Sequence, residues 1–145
     1  MRLTRHSSNA EILQVLNNTA DAVSQVLATN TDWSLSGIRH TQYSVDVRAD
    51  NAALAVLHEA GCAVLSEESQ ITGQWGDDDI LVVMDPLDGS TNASRGVPWF
   101  ATALCALDKN GMRASLVVNQ ASGKDRYWAT QGGGAFHNGN QMYPS

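Results

Sequence analysis

The sequence predicts an α+β fold in which layered helices pack on a mostly antiparallel sheet. Two stretches with helical periodicity come first, and short apolar or alternating runs follow from residue 62 to the end. Helices that precede a run of strands usually gather on one face of the sheet, so this order indicates two layers. With 145 residues, of which 43% are hydrophobic and 17% charged, the chain fits a single globular domain with its own core.

The first helix is predicted over residues 9–28. Ser8 and Glu11 have the spacing of a capping box, and apolar residues then recur at three- and four-residue steps. Residues 33–43 have no clear period and are expected to be loop with some irregular strand. A second helix should begin near Asp46 or Asp50 and end at about residue 60, since a glycine follows there.

The strands are predicted from short apolar or alternating runs separated by turn residues. They cover residues 62–65, 80–84, 100–107, 112–119 and 126–130, with polar turns at 72–79, 108–111, 120–124 and 138–139. No helix follows the last strands, so one face of the sheet should be bare, either wet or lacking a partner layer.

Composition disfavours several classes of protein. The net charge is −6 and no Lys/Arg cluster occurs, so nucleic acid is not an expected partner. No run of ~18 apolar residues is present, and the N-terminus lacks the apolar core of a signal peptide; we therefore expect no membrane partner and a cytoplasmic protein. Cys62 and Cys105 stand in apolar surroundings without metal-ligand spacing, which predicts buried free thiols.

The most informative stretch begins where the apolar run 80–84 ends. Asp85 and Asp88 flank a Pro-Leu pair, and the proline should prevent the strand from simply continuing. Two carboxylates on a tight bend suit Mg²⁺, because this ion prefers hard oxygen ligands. Gly89 then allows close backbone approach, and the small polar residues after it would open a short helix that attracts anions. Solvated turn carboxylates and an ordinary helix cap are the alternatives.

A second acidic pair, Glu67 and Glu68, follows the apolar run 62–65. If the two strands are neighbours, both acidic ends lie at one edge of the sheet, and one glutamate can join the aspartates. Taken alone, such a pair is more often a solvated surface.

Together these segments resemble the paired signatures of the inositol monophosphatase family, the Mg²⁺-dependent, lithium-sensitive phosphatases. The chain has SEES at 66–69 and DPLDGSTN at 85–92, where the usual family forms are GEES and DPIDGTTNF. A later GAFHNG at 134–139 is similar to the family's KGAFxNG. The resemblance covers roughly residues 8–145 and implies the first half of the inositol monophosphatase fold.

The resemblance implies a metal set of four residues. Glu67, Asp85 and the main-chain carbonyl of Leu87 would hold a first Mg²⁺, and Asp85 would bridge to a second ion that Asp88 helps to bind. A metal-activated water would then attack phosphorus in line.

The resemblance also implies how the substrate phosphate is held. The amides of Gly89 and Ser90 would bind it, with Thr91 nearby. Ser90 stands where the family usually has Thr, and its hydroxyl would orient the water. Glu67 and Ser90 are therefore the implied catalytic residues.

Two features depart from the family pattern. The family often has an upstream motif, D-x-V-T-x-x-D, whose first Asp pairs with the hydroxyl of the residue at the position of Ser90. When Asp50 is aligned with the last Asp of this motif, Ser44 falls at the first position. Asp46 is the alternative, by a shift of register. In addition, family members are about twice as long, and their W-D-x-A-A-G metal motif has no counterpart here. Residues 1–145 are therefore expected to be a single incomplete domain, the N-terminal part of such a phosphatase.

The expected function is that of a Mg²⁺-dependent phosphomonoesterase acting on inositol phosphate or a similar small phosphate monoester. Its partners would be a small phosphorylated substrate and a second copy in a homodimer. The alternative is a catalytically incomplete metal-binding or interaction module that retains half of the fold.

Overall fold

The structure is a computed structural model that describes residues 1–122 and 125–145. Part of the predicted turn at 120–124 therefore lies outside the described residues, namely Gly123 and Lys124. In chain order the elements are α1 (Asn9–Ala28), α2 (Ser44–Glu59), β1 (Ala63–Ser66), β2 (Gln70–Thr72), β3 (Leu81–Asp88), α3 (Ser90–Ser94), β4 (Ala101–Asp108), β5 (Gly111–Asn119), β6 (Arg126–Thr130), β7 (Gly134–His137) and β8 (Asn140–Met142).

All described strands form one sheet with the order β2-β1-β3-β4-β5-β6-β7-β8. Every neighbouring pair is antiparallel except β1 and β3, which run parallel with Ser66 opposite Met84. The mostly antiparallel sheet is thus confirmed. The parallel pair matters most, because it brings the carboxyl ends of β1 and β3 to the same edge of the sheet.

Helices α1 and α2 pack against each other and cover one face of this sheet. The capping box at the start of α1 is present: the amide of Glu11 donates to Oγ of Ser8 at 3.2 Å, and the amide of Ser8 donates back to the Glu11 carboxylate at 2.7 Å. The apolar stripes of both helices meet the sheet in a core that includes Ile12, Leu16, Val23, Ala53, Leu57, Val64, Val82, Leu104 and Leu116. Along the described chain, no helix has the length and apolar character needed to cross a bilayer.

The opposite face of the sheet is open, as the sequence predicted. Leu65, Val83, Val117 and Tyr127 are all exposed there, although their strands are central or nearly so. Cys105 projects to this face and is only half-buried, so the expectation that both thiols are buried is wrong for it. Cys62 lies on the covered side and is buried.

Several predicted boundaries were wrong. The strand predicted over 80–84 continues to Asp88, because a register shift between Asp85 and Asp88 accommodates Pro86 without breaking the pairing with β4. Helix α2 begins at Ser44, slightly before the predicted start. Strand β2 lies where a polar turn was expected to begin. Residues 138–139 do form a turn, with positive φ at both positions, and it joins β7 to β8.

Candidate active site

The residues that the sequence singled out lie in one cleft at the carboxyl ends of β1 and β3. The amide of Glu67 donates to the carbonyl of Met84 at 3.1 Å, so this glutamate lies beside the start of the Asp85 motif. The cleft has a volume of about 230 Å³. It is lined by Arg39, Thr41, Gln42, Asp46, Glu67, Glu68, Asp85, Leu87, Asp88, Gly89, Ser90 and Thr91. Every predicted metal and phosphate residue is therefore brought to the same cavity.

Asp85 is the most strongly perturbed carboxyl group in the cleft. Burial, a hydrogen bond with Glu67 and the nearby charges of Glu67 and Asp88 raise its pKa to about 8. The Leu87 amide, which donates to Oδ1 of Asp85 at 3.1 Å, acts in the opposite direction and lowers the pKa. Without a cation, this carboxyl group is thus mostly protonated at neutral pH.

Gly89 forms the bend between β3 and the short helix α3. Its φ is 86°, in the left-handed region that glycine adopts without steric cost. A Cβ atom at this position would lie 2.9 Å from the carbonyl oxygen of Trp99 and 3.3 Å from Cα of Phe100. The bend therefore requires glycine for two reasons, and it places Ser90 at the first position of α3 facing the cleft.

Asp46, the upstream residue that the sequence offered as an alternative, lines the cleft. Its Oδ2 accepts the Tyr43 amide at 2.8 Å, which fixes the carboxylate at the start of α2. The residue is only 2% exposed, and its Oδ1 has no hydrogen-bond partner among the described residues. Burial raises the pKa of Asp46 to about 6, assisted by the charges of Glu68 and Glu67, while the Tyr43 amide and the facing Ser90 hydroxyl lower it.

Asp50, one helical turn later, has a different partner. Its Oδ1 accepts the Ser66 hydroxyl at 2.5 Å, and both side chains are buried. The Ser66 Oγ in turn accepts the Glu68 amide at 3.1 Å. Asp50 therefore supports the backbone at the end of β1, and Asp46 is the carboxylate that faces Ser90.

Glu68 and the loop before α2 form the other wall of the cleft, and this wall was not predicted. The Glu68 carboxylate accepts short hydrogen bonds from Arg39 and Gln42, and Arg39 also donates to the carbonyl of Glu67 at 3.2 Å. Gln42 is further held by Ser36, whose hydroxyl donates to its side-chain oxygen at 2.8 Å. The Glu68 carboxylate is thus occupied by its hydrogen bonds to Arg39 and Gln42 in the loop. Glu67 is therefore the glutamate that lies beside the aspartates.

The donor set suits a hard divalent cation in its chemistry. Five carboxylates and one guanidinium line the cleft in the described part of the chain, and burial together with the charges of Glu67 and Asp88 raises the pKa of Asp85. Still, within residues 1–122 and 125–145, no three His, Cys, Asp or Glu side chains converge closely enough to form a metal cage by themselves. The residues thus provide an acidic, oxygen-rich wall to which a cation could bind, and the assignment of individual ligands stays a prediction.

Comparisons with known proteins agree with these motifs. The model of the inositol monophosphatase family matches residues 8–145. A protein from Archaeoglobus fulgidus named fructose-1,6-bisphosphatase/inositol-1-monophosphatase is 36% identical over 102 residues, which cover 68% of this chain and 38% of the relative. A histidinol-phosphatase from Mycobacterium tuberculosis is 40% identical over 81 residues, covering 52% of this chain and 28% of that protein. A relative from Pseudomonas aeruginosa, 34% identical over 101 residues that cover 68% of this chain and 37% of that protein, is named Nus factor SuhB.

The fold is also similar to solved structures. The extragenic suppressor protein suhB from Bartonella henselae superposes with a TM-score of 0.75 at 26% identity, over 91% of this chain and 54% of that one. The inositol monophosphatase from Anabaena superposes with a TM-score of 0.72 at 24% identity, over 94% of this chain and 50% of that one. The chain therefore spans about half the length of these structures, and about two fifths of the relative from Archaeoglobus.

Proposed function

This chain belongs to the inositol monophosphatase family, and we propose that it forms part of a Mg²⁺-dependent phosphomonoesterase that hydrolyses inositol phosphate or a similar small phosphate monoester. The observation that carries the proposal is the convergence of Glu67, Asp85, Asp88 and the Gly89 bend in one cleft, opposite Asp46. Several relatives are named as phosphatases, whereas no contact within the cleft favours the metal-binding or interaction module that the sequence left open.

Glu67, Asp85, Asp88 and the carbonyl of Leu87 are the groups that would hold Mg²⁺. A phosphate monoester carries up to two negative charges, and it would enter a cleft in which carboxylates outnumber cationic groups five to one. Bound Mg²⁺ supplies the missing positive charge and lowers the pKa of water. The same charge would reverse the shift of Asp85, because a neighbouring cation favours the ionised carboxylate.

Gly89, Ser90 and Thr91 would position the phosphate. Since Gly89 has no side chain, the backbone of the bend can approach a ligand closely. Ser90 begins the five-residue helix α3, and its amide and that of Gly89 would donate to the phosphate beside the carboxylate-held cation. The phosphorus would then be held between the bend and the Asp46 wall of the cleft.

Asp46 and Ser90 would together handle the proton of the attacking water. Oδ1 of Asp46 is buried and has no hydrogen-bond partner among the described residues, and the Ser90 hydroxyl faces the same carboxyl group. The Ser90 hydroxyl can donate to Asp46 and accept from water at the same time. A pKa of about 6 leaves Asp46 largely ionised at neutral pH, as a proton acceptor must be.

The proposal is tested by Mg²⁺-dependent release of phosphate from myo-inositol 1-phosphate, together with calorimetric titration of the chain with Mg²⁺. We expect Asp85→Asn to abolish both signals. Asp77→Asn, which alters an exposed carboxylate that does not line the cleft, should leave both unchanged. Phosphate release that is independent of Mg²⁺, or that persists undiminished in Asp85→Asn, would contradict the proposal.

A further inference from the structure

The end of β3 contains a β-bulge within the proposed metal set. The register of β3 against β4 shifts between Asp85 and Asp88. As a result, Pro86 and Leu87 together face one residue of β4, Thr102. Two residues opposite one is the arrangement of a bulge, and bulges beside active sites turn side chains in new directions. The directions of the Asp85 carboxylate and of the Leu87 carbonyl are therefore set within this bulge.

The peptide group between Pro86 and Leu87 is held on both sides. Its oxygen, the Pro86 carbonyl, accepts the Thr102 hydroxyl at 2.8 Å. Its N–H, the Leu87 amide, donates to Oδ1 of Asp85 at 3.1 Å. Because a peptide group is planar, these two bonds together fix how it is rotated about the chain. One peptide group thus directs two of the proposed ligands, the Asp85 carboxylate and the Leu87 carbonyl.

The bond between Thr102 and Pro86 is shielded from water. Thr102 is fully buried, and Pro86 is buried beside it. A buried carbonyl that loses a donor cannot replace it with solvent, so the loss is costly. Without the hydroxyl, the peptide group would therefore be driven to rotate toward another donor.

Gln120 determines the direction in which the Thr102 hydroxyl donates. Its Nε2 donates to Oγ1 of Thr102 at 2.9 Å and to the carbonyl of Ala20 on α1 at 3.2 Å. Its Oε1 accepts the Ser24 hydroxyl at 2.6 Å. A hydroxyl group has a single proton, so the Thr102 oxygen that accepts from Gln120 keeps its own proton for Pro86. Two side chains thus connect the bulge to α1.

We propose that Thr102, oriented by Gln120, is a positioning residue for the cation in the cleft, because it holds the peptide group that directs Asp85 and the Leu87 carbonyl. The proposal rests on the proposed function for the identity of the cation, whereas the hold on the peptide group can be measured without metal. Groups that orient metal ligands typically contribute about 10–100-fold to metal affinity. A hydroxyl that only satisfied a buried carbonyl would contribute to stability alone.

The test compares three variants. Thr102→Val removes the hydroxyl from a side chain of nearly the same shape, and Thr102→Ser keeps the hydroxyl. Thr19→Val is the matched control, because Thr19 is equally buried and its hydroxyl also donates to a backbone carbonyl, that of Val15 at 2.8 Å within α1. Calorimetry measures the Mg²⁺ affinity of each variant. In EDTA, NMR measures how fast the Leu87 amide proton exchanges relative to that of Leu104 in β4.

We expect Thr102→Val to weaken Mg²⁺ binding at least about tenfold and to speed exchange at Leu87, relative to Leu104, by a similar factor. Thr102→Ser and Thr19→Val should both stay within about threefold of the wild type. Unchanged Mg²⁺ affinity in Thr102→Val, even with lower stability, would overturn the positioning role. An equal loss of affinity in Thr19→Val would also overturn it, because general destabilisation would then explain both losses.

Gln120→Met is the second variant, and it replaces Thr102→Val if circular dichroism shows that the latter does not fold. It keeps the Thr102 hydroxyl and removes the donor that orients it, so it should weaken Mg²⁺ binding and speed Leu87 exchange by at least about threefold. Values equal to those of the wild type would overturn the role of Gln120. A wild type that does not bind Mg²⁺ would contradict the proposed function, and Leu87 exchange in EDTA would then decide the positioning role by itself.

Discussion

Gly89 and Trp99 approach so closely that a Cβ atom on Gly89 would lie 2.9 Å from the Trp99 carbonyl oxygen. The bend between β3 and α3 therefore depends on a missing side chain as well as on a positive φ. Because the Trp99 oxygen also accepts the Asn92 side-chain amide at 2.9 Å, it cannot move away without breaking that bond. The close contact is thus part of what fixes the bend.

From this contact we predict that Gly89→Ala lowers the free energy of unfolding by about 2–4 kcal/mol, through backbone strain and the clash together. Chemical denaturation would measure it. Gly96→Ala is the matched control, since Gly96 also has a positive φ of 71° but has open space where its Cβ would lie. The control should lose only about 1 kcal/mol. Equal losses in the two variants would show that the Trp99 contact contributes nothing.

A second prediction concerns the charge of Asp85 in the metal-free chain. Its folded-state pKa of about 8 lies well above the ordinary value of about 4. Between pH 4 and pH 8 the folded state therefore keeps a proton that the unfolded state has released. The stability of the chain in EDTA should therefore fall as the pH rises from about 4 to 8.

In Asp85→Asn this part of the pH dependence should disappear, and the metal-free variant should be more stable than the wild type at pH 7. The stabilisation that Mg²⁺ gives to the wild type should be lost in the same variant. Thermal unfolding with EDTA and with Mg²⁺, at pH 5 and pH 7, measures all these effects. A variant that is less stable than the wild type in EDTA at pH 7 would contradict the prediction.

The sequence predicted the cleft better than it predicted the residues that complete it. Asp85, Asp88 and Gly89 lie close together in the sequence at the end of one strand, so their proximity is local and could be predicted directly. The position of Glu67 beside them depended on β1 and β3 being parallel neighbours, which the structure shows but no local pattern states. The contribution of Arg39 was not foreseen, because its loop has no period and reaches Glu68 from 29 positions away.

The different partners of Asp46 and Asp50 show why such details escape sequence reasoning. The two residues are four apart on α2, so both face the same side of the helix. Which of them meets Ser90 and which meets Ser66 depends on how α2 lies across the ends of β1 and β3. That is a property of the packed helix and sheet, and the spacing of the aspartates is equally compatible with either pairing.

A third prediction separates the two adjacent glutamates. Glu68→Gln should release Arg39 and weaken the contact with Gln42, so the loop over residues 33–43 should be cleaved faster in limited proteolysis. Mg²⁺ affinity should change little, because Glu68 is already occupied by these donors. Glu67→Gln should do the reverse, with at least tenfold weaker Mg²⁺ binding and an unchanged cleavage rate. If Glu68→Gln were the variant that lost Mg²⁺ binding, the roles assigned to the pair would be wrong.

A fourth prediction concerns Arg113, which connects the N-terminal segment to β5. Its guanidinium donates to the carbonyls of Arg5 and Ser7 at 2.9 and 2.8 Å, to the Asn9 side chain at 2.9 Å and to Asp108 at 3.0 Å. A lysine has one nitrogen and cannot reach four acceptors in these directions. Arg113→Lys should therefore lower the free energy of unfolding by on the order of 2 kcal/mol. Arg48→Lys, at an exposed arginine with a single side-chain partner, should lie within about 0.5 kcal/mol of the wild type.

The same cluster gives a pH dependence of opposite sign to that of Asp85. The Asn110 amide, with help from Arg113, holds the pKa of Asp108 below its ordinary value. A carboxyl group with a lowered folded-state pKa stabilises the protein above its unfolded-state pKa of about 4, and this stabilisation is lost as the pH falls through the folded-state pKa. The wild type should therefore lose more stability than Asp108→Asn between pH 4 and pH 2, as measured by urea denaturation at each pH. If both proteins lost the same stability between pH 4 and pH 2, the pKa of Asp108 would not be lowered by folding, and Arg113 would act through its contacts with Arg5, Ser7 and Asn9.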